Sequence, residues 1–110
     1  MIDASFLELK YLQLVRACAK KISKKFKLRP RTIRLFDDDD PDRRTCHGMC
    51  YSDGTIHINL RRGRSGRFDS IESSLDTIIH ELAHLKFYNH TKEFWKFHRT
   101  IKQWFFKHFY

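Results

Sequence analysis

HELAHLKFYNH, residues 80 to 90, gathers three of the chain's seven histidines and a glutamate into eleven positions. Histidines four residues apart share one face of a helix, so His80 and His84 can turn their imidazoles onto a single ion. A catalytic zinc takes three protein ligands and leaves a fourth position open, and His90 is the candidate third ligand. It lies too far along to share that face of a straight helix. The spacing therefore requires the chain to turn after about Phe87, with Asn89 able to take a left-handed conformation at the helix end and Thr91 placed to cap a following helix. Glu81 follows the first histidine directly. Its carboxylate falls beside the ion without ligating it, the position of a general base that takes a proton from zinc-activated water and delivers one to the leaving amine.

The elements needed to hold these residues can be read on either side. Asp69 or Ser70, with Glu72, begins the histidine helix, and Ile71, Leu75, Ile78, Leu82 and Leu85 form an apolar stripe roughly opposite His80 and His84. Upstream, GMCYSDGTIHINL reads as a hairpin turning at Asp53-Gly54. In its second strand Ile56, Ile58 and Leu60 face inward and His57 and Asn59 outward. The polar edge of this His57 to Leu60 strand is the place where an extended peptide could add by main-chain pairing. RRGRSGR, residues 61 to 67, reads as an exposed flexible loop. A long amphipathic helix is predicted from the Ser5/Glu8 capping box to Phe26, using Leu7, Tyr11, Leu14, Val15, Cys18, Ile22 and Phe26. Arg29-Pro30 ends that pattern, and Thr32 to Phe36 has the composition of a short strand. A final helix after Thr91 carries Phe94, Phe97, His98, Ile101, Phe105 and His108 on one side.

At 110 residues, with no repeat or linker, residues 1 to 110 form a single domain. No apolar run approaches the roughly 20 residues of a membrane span. Three cysteines are too few for a disulfide framework and point to an intracellular setting, cytoplasmic or in the nucleoid or nucleus. A second zinc site from Cys46, His47, Cys50 and His57 lacks a clear fourth partner by spacing. The net charge of +9 is clustered, with ten Lys/Arg in residues 1 to 35 and a further group at Arg61, Arg62, Arg64 and Arg67, separated by the acidic run DDDDPD at 37 to 42. Such clustering suits a DNA or RNA partner and equally a solvated surface. The expected oligomeric state is a monomer.

HELAHLKFYNHTKEFW resembles the HExxH-x5-H signature of the YgjP-like and SprT/Spartan-like zinc metallopeptidases, and GMCYSDGTIHINL resembles the strand and turn that precede their active-site helix. The resemblance covers about residues 46 to 97. It implies an α+β, zincin-like domain: an N-terminal helix, a small antiparallel-rich sheet, the HExxH helix and a C-terminal helix. By the same analogy His80, His84 and His90 match the zinc ligands, one ion per chain, and Glu81 the general base. Metzincins share the histidine spacing but have glycine where this chain has Phe87, and no methionine follows Met49 to supply their Met-turn. The expected activity is zinc-dependent endopeptidase cleavage, extending to proteins associated with nucleic acid. Two other readings stand beside it. One is a zinc endoribonuclease resembling YbeY, which carries glycine where this chain has Glu81; the other is a nucleic-acid-binding module with structural zinc. Tyr51, His57, Tyr88 and His98 are all candidates to stabilise an oxyanion.

Overall fold

The computed structural model describes residues 4–37, 46–62, 67–68 and 70–109. The first helix, α1 (Ala4–Phe26), buries Leu12, Val15, Ala19 and Ile22, with Tyr11, Cys18 and Phe26 packed beside them. Leu7 and Leu14, expected in this stripe, face outward at 36% and 47% exposure. At about 100° per residue they fall roughly a quarter-turn from the stripe's centre, where Ala19 and Leu12 fit instead. The helix starts one residue before Ser5, so Ser5 lies in its first turn.

Lys27 closes α1 with φ 58°, and the Leu28 N–H donates to the Ser23 carbonyl at 2.9 Å. This is the Schellman closure of a helix, in which glycine is the usual occupant of the left-handed position. After Pro30 comes β1 (Thr32–Leu35), held to α1 by the Arg16 Nε–H, which donates to the Ile33 carbonyl at 2.7 Å.

The sheet has the order β1-β3-β2, with β2 at Gly48–Cys50 and β3 at Thr55–Ile58. β2 and β3 form the expected hairpin. Gly54, at φ 90°, donates to the Tyr51 carbonyl, and Asp53 Oδ1 accepts from the Thr55 N–H at 2.9 Å. β1 pairs with β3 in parallel, from Thr32 opposite Thr55 to Leu35 opposite Ile58. The three-stranded sheet is thus mixed, one parallel pair beside the expected antiparallel hairpin. A parallel pair needs a long return of chain, and the 19 residues between Leu35 and Thr55 supply it through β2. Arg61–Arg62 (β4) and Arg67–Phe68 (β5) pair antiparallel where a flexible loop was expected. Arg64 and the acidic residues 38–42 lie outside the described residues.

Ile56, Ile58 and Leu60 are buried, as their alternation predicts. They meet α2 (Ile71–His84), whose N-cap is Ser70: its hydroxyl accepts from the Ser73 N–H at 3.1 Å. Leu75, Ile78, Ile79, Leu82 and Ala83 of α2 are at most 2% exposed, and the helix packs against α1, the sheet and α3. α3 (Lys92–Phe109) is capped by Thr91 Oγ1, which accepts from the Phe94 N–H, and buries Phe94, His98, Ile101 and Phe105; His108 is exposed. No described helix is long and apolar enough to cross a membrane.

Lys27 gives a test of the helix closure. Lys27→Gly should raise unfolding stability by about 0.5–1 kcal/mol, because a side chain at positive φ costs more than the extra backbone freedom of glycine. Urea denaturation followed by circular dichroism reads it, and a lowered midpoint would contradict the closure.

Candidate active site

α2 stops at His84 because its last carbonyls are taken up in a tightened turn. The Leu85 N–H donates to Leu82, and the Lys86 and Phe87 N–H groups both donate to Ala83. The reversal needs no left-handed Asn89, since Lys27 is the only described non-glycine residue at positive φ. Thr91 then donates to the Asn89 carbonyl and starts α3, and His90 is carried back over the end of α2.

The three imidazoles converge. His80 Nε2 lies 3.1 Å from His90 Nε2 and 3.3 Å from His84 Nε2, and the third side of the triangle, His84 to His90, is 3.1 Å. Ligand nitrogens on a tetrahedral zinc, at bonds of about 2.05 Å, stand about 3.3 Å apart. The triad therefore fits one small cation, and it is the only such group among the described residues. His84 Nδ1 is 3.1 Å from the Phe87 carbonyl. A carbonyl only accepts, so Nδ1 holds the proton and Nε2 presents its lone pair. Burial lowers the pKa of His80 to about 4, helped by the neighbouring charges of His84, His90 and His98, and burial also lowers that of His84. These rings are therefore neutral near pH 7 and available to a metal.

Phe94 supplies the floor. Its ring centroid lies 5.0 Å from that of His80, 4.4 Å from His84 and 5.0 Å from His90. Trp95, half exposed, stacks on His90 at 5.7 Å with 22° between the planes. Both follow from α3 beginning two residues after His90. In the sequence Phe94 reads as ordinary core; its place under all three imidazoles depends on the reversal at 85–91.

Glu81 is 6% exposed, and burial pushes its carboxyl up to about 7. It lies beneath β2. A Cβ on Gly48 would stand 3.0 Å from both Cγ and Oε2 of Glu81 and 2.9 Å from Thr77 Cγ2. Glycine is thus what permits the strand to close on the carboxylate, a constraint that the sequence shows only as one residue of a short run. A cavity of about 480 Å³ opens here between Cys46–Gly48 and the Asp76, Thr77, His80 and Glu81 side of α2. A second opening of about 830 Å³ continues past His84 between the hairpin turn and the end of α1.

β2, not the His57 strand, borders both. β3 is central and paired on each side, so the expected pairing edge moves to Gly48–Cys50. Tyr51 donates to Thr55 and Asn59 to His47 across the hairpin. By the two-residue alternation of an antiparallel ladder, the N–H and C=O groups of Gly48 and Cys50 then point to the open edge. His57 lies on the opposite face of the sheet against Phe36 and Tyr51, remote from the triad face. His98 is buried behind His80, with Nε2 3.8 Å from Asp76 Oδ1, while Tyr88 is 72% exposed on the rim beyond His84. The Cys46, His47, Cys50 and His57 set forms no metal cluster. Burial, with Glu81 and Asp53 nearby, pushes the Cys50 thiol to about 11, so it remains protonated.

An HExxH helix beneath an open sheet edge, with a third histidine from the following turn, defines a zincin-like α+β domain. The WLM domain family matches residues 7–107, and the chain belongs to that family. Its fold is similar to that of Wss1 from Saccharomyces cerevisiae (19% identity, TM-score 0.78, covering 91% of this chain and 77% of that one). It is also similar to Wss1 from S. pombe (25% identity, TM-score 0.71, 87% and 78%). No curated protein matches in sequence.

Replacing His80, His84 or His90 by Ala should lower zinc affinity at least about 10²-fold, as removal of one of three ligands leaves an incomplete shell. Equilibrium dialysis with metal analysis reads this directly; undiminished zinc in His90→Ala would remove His90 from the set.

Proposed function

We propose that this chain is a zinc-dependent endopeptidase in which His80, His84 and His90 hold one ion and Glu81 is the general base. The observation that carries the reading is the pairing of the 3.1–3.3 Å triangle with a buried carboxyl beside it, both facing an open sheet edge. When bound, zinc supplies Lewis acidity to a peptide carbonyl and to the attacking water. The rest falls to the protein. The outward N–H and C=O groups of Gly48 and Cys50 pair with the backbone of an extended substrate, which fixes the scissile bond over the triad without reading its side chains. Glu81 accepts the proton of the attacking water and returns it to the departing amine. Its raised pKa strengthens Glu81 as acceptor of the water's proton, and Glu81 beside a bound divalent cation would have a lower pKa, which would keep the base form populated and ease the proton's release to the amine.

Glu81 also separates this reading from a YbeY-like endoribonuclease, which has glycine at that position. A purely structural zinc, which takes four protein ligands, is disfavoured because only three candidate ligands meet among the described residues. Membership of the WLM family and the Wss1-like fold favour substrates held on DNA, reached from the cytoplasm or nucleus by a monomer. Arg61, Arg62, Arg64 and Arg67 with the Lys/Arg of α1 would supply salt-sensitive contacts to DNA or RNA phosphates. Binding of an oligonucleotide that survives exchange of these four arginines for serine would exclude the first group.

Glu81→Gln should keep its zinc and lose at least about 100-fold in cleavage of an unfolded protein, since the amide cannot take the proton. Gly48→Ala should likewise keep zinc and lose about 10- to 100-fold, because its methyl displaces the carboxylate. Full activity in either variant contradicts the assigned base.

A further inference from the structure

The opening of about 830 Å³ beyond His84 is built from three segments: the end of α1 and its connection to β1 (Phe26–Arg29), the hairpin Cys50–Gly54, and the turn after α2 with Tyr88; the catalytic reading uses only Cys50 and His84 of its lining. The walls are tied together. The Arg31 N–H donates to the Gly54 carbonyl at 2.8 Å, and Gly54 approaches so closely that a Cβ there would lie 3.3 Å from Arg31 N. Phe26, Leu28 and Leu85 give this groove partly buried apolar lining.

Its charge is one-sided. Asp53 is the only acid among the described lining residues, and it is engaged by Arg31 Nη1 at 3.3 Å and by the Thr55 N–H at 2.9 Å. Lys86 holds its ammonium over the rings of Phe97 and Phe87, at 5.0 and 5.7 Å. Lys27 and Arg29 are exposed on the rim and make no ion pair among the described residues. The cavity at the other end of the cleft carries two acids, Asp76 and Glu81, and no Lys or Arg among its described lining residues, although Asp76 is engaged by Lys102 Nζ at 3.0 Å. Lys27 moreover holds the φ of 58° where glycine is the usual residue. A side chain retained in a strained conformation at the mouth of a groove is the kind of outlier that marks a function.

We infer that this groove selects acidic side chains of the substrate polypeptide, N-terminal to the scissile bond, through Lys27 and Arg29. The inference rests on the peptidase reading and adds a specificity to it. The side follows from the direction of β2, which runs from Gly48 beside Glu81 to Cys50 at the groove. A strand added antiparallel to β2 runs the other way and brings its N-terminal part past Lys27 and Arg29 before reaching the triad. Apolar lining and continuity with the sheet edge suit a polypeptide better than a phosphate backbone, which needs neither.

Two measurements test it. In the first, an unfolded protein is digested with the zinc-loaded enzyme and the cut bonds are mapped by mass spectrometry. Acidic residues should be enriched on the N-terminal side by roughly 3- to 10-fold, the size of one or two partly screened ion pairs, and high salt or the Lys27→Ser/Arg29→Ser double variant should erase the enrichment. In the second, a labelled glutamate-rich peptide, its glutamine counterpart and a single-stranded oligonucleotide are titrated into zinc-loaded Glu81→Gln protein. The glutamate peptide should bind roughly 3- to 10-fold tighter than the glutamine one, and the added double substitution should remove the difference. Since binding is read without turnover, a preference that depends on Lys27 and Arg29 in a chain that cuts nothing would uphold the groove and refute the peptidase. Cleavage with no acidic enrichment, enrichment on the C-terminal side, or a double substitution that weakens only the oligonucleotide would overturn the groove's assignment and leave the peptidase standing.

Discussion

Three imidazole nitrogens brought within 3.1–3.3 Å of one another must share protons or a cation, and the fold is arranged to hold them so. The 3.1–3.3 Å triangle of Nε2 atoms draws two members from the last two turns of α2 and one from the reversal that follows. Neither source would suffice alone. His80 and His84 are aligned by helix geometry, but His90 is positioned by where α2 ends, how the 85–87 turn tightens, and where Thr91 begins α3. Phe94 then fixes all three rings from below. Burial keeps His80 and His84 from taking protons, so the site is held in the form that a metal binds.

The second constraint is steric. β2 can approach α2 only because residue 48 has no side chain, and that approach buries Glu81 while leaving the strand's outer edge open. One glycine thus links two properties that a peptidase needs together: a carboxyl of raised pKa beside the ion, and a row of backbone groups on which a substrate can lie. Among the described residues the cleft differs along its length, with the carboxyls of Asp76 and Glu81 at one end and the cations of Lys27 and Arg29 at the other.

What could be read in the sequence was whatever depends on neighbours within a turn or two. The apolar stripe of α2, the 80/84 pair, the Asp53-Gly54 hairpin and the Thr91 cap all follow from short-range periodicity and capping chemistry. Contacts between distant segments could not be read in this way. The parallel pairing of β1 with β3 makes β3 central, and this moved the expected substrate edge from His57 to Gly48–Cys50. His57 faces away from the triad by the strand alternation that buries Ile56 and Ile58. Leu14 illustrates a narrower failure: an apolar residue in an amphipathic helix counted as core although its angle sets it outside the buried stripe.

The central claim is that the triad holds a metal in a shell left open for chemistry, and X-ray absorption at the zinc edge of the loaded protein tests it most directly. The account predicts a four-coordinate shell of three imidazole nitrogens and one further light atom, all at about 2.0–2.1 Å. Sulfur scatterers at about 2.3 Å, from Cys46 or Cys50, or a shell closed by a fourth protein ligand would contradict it.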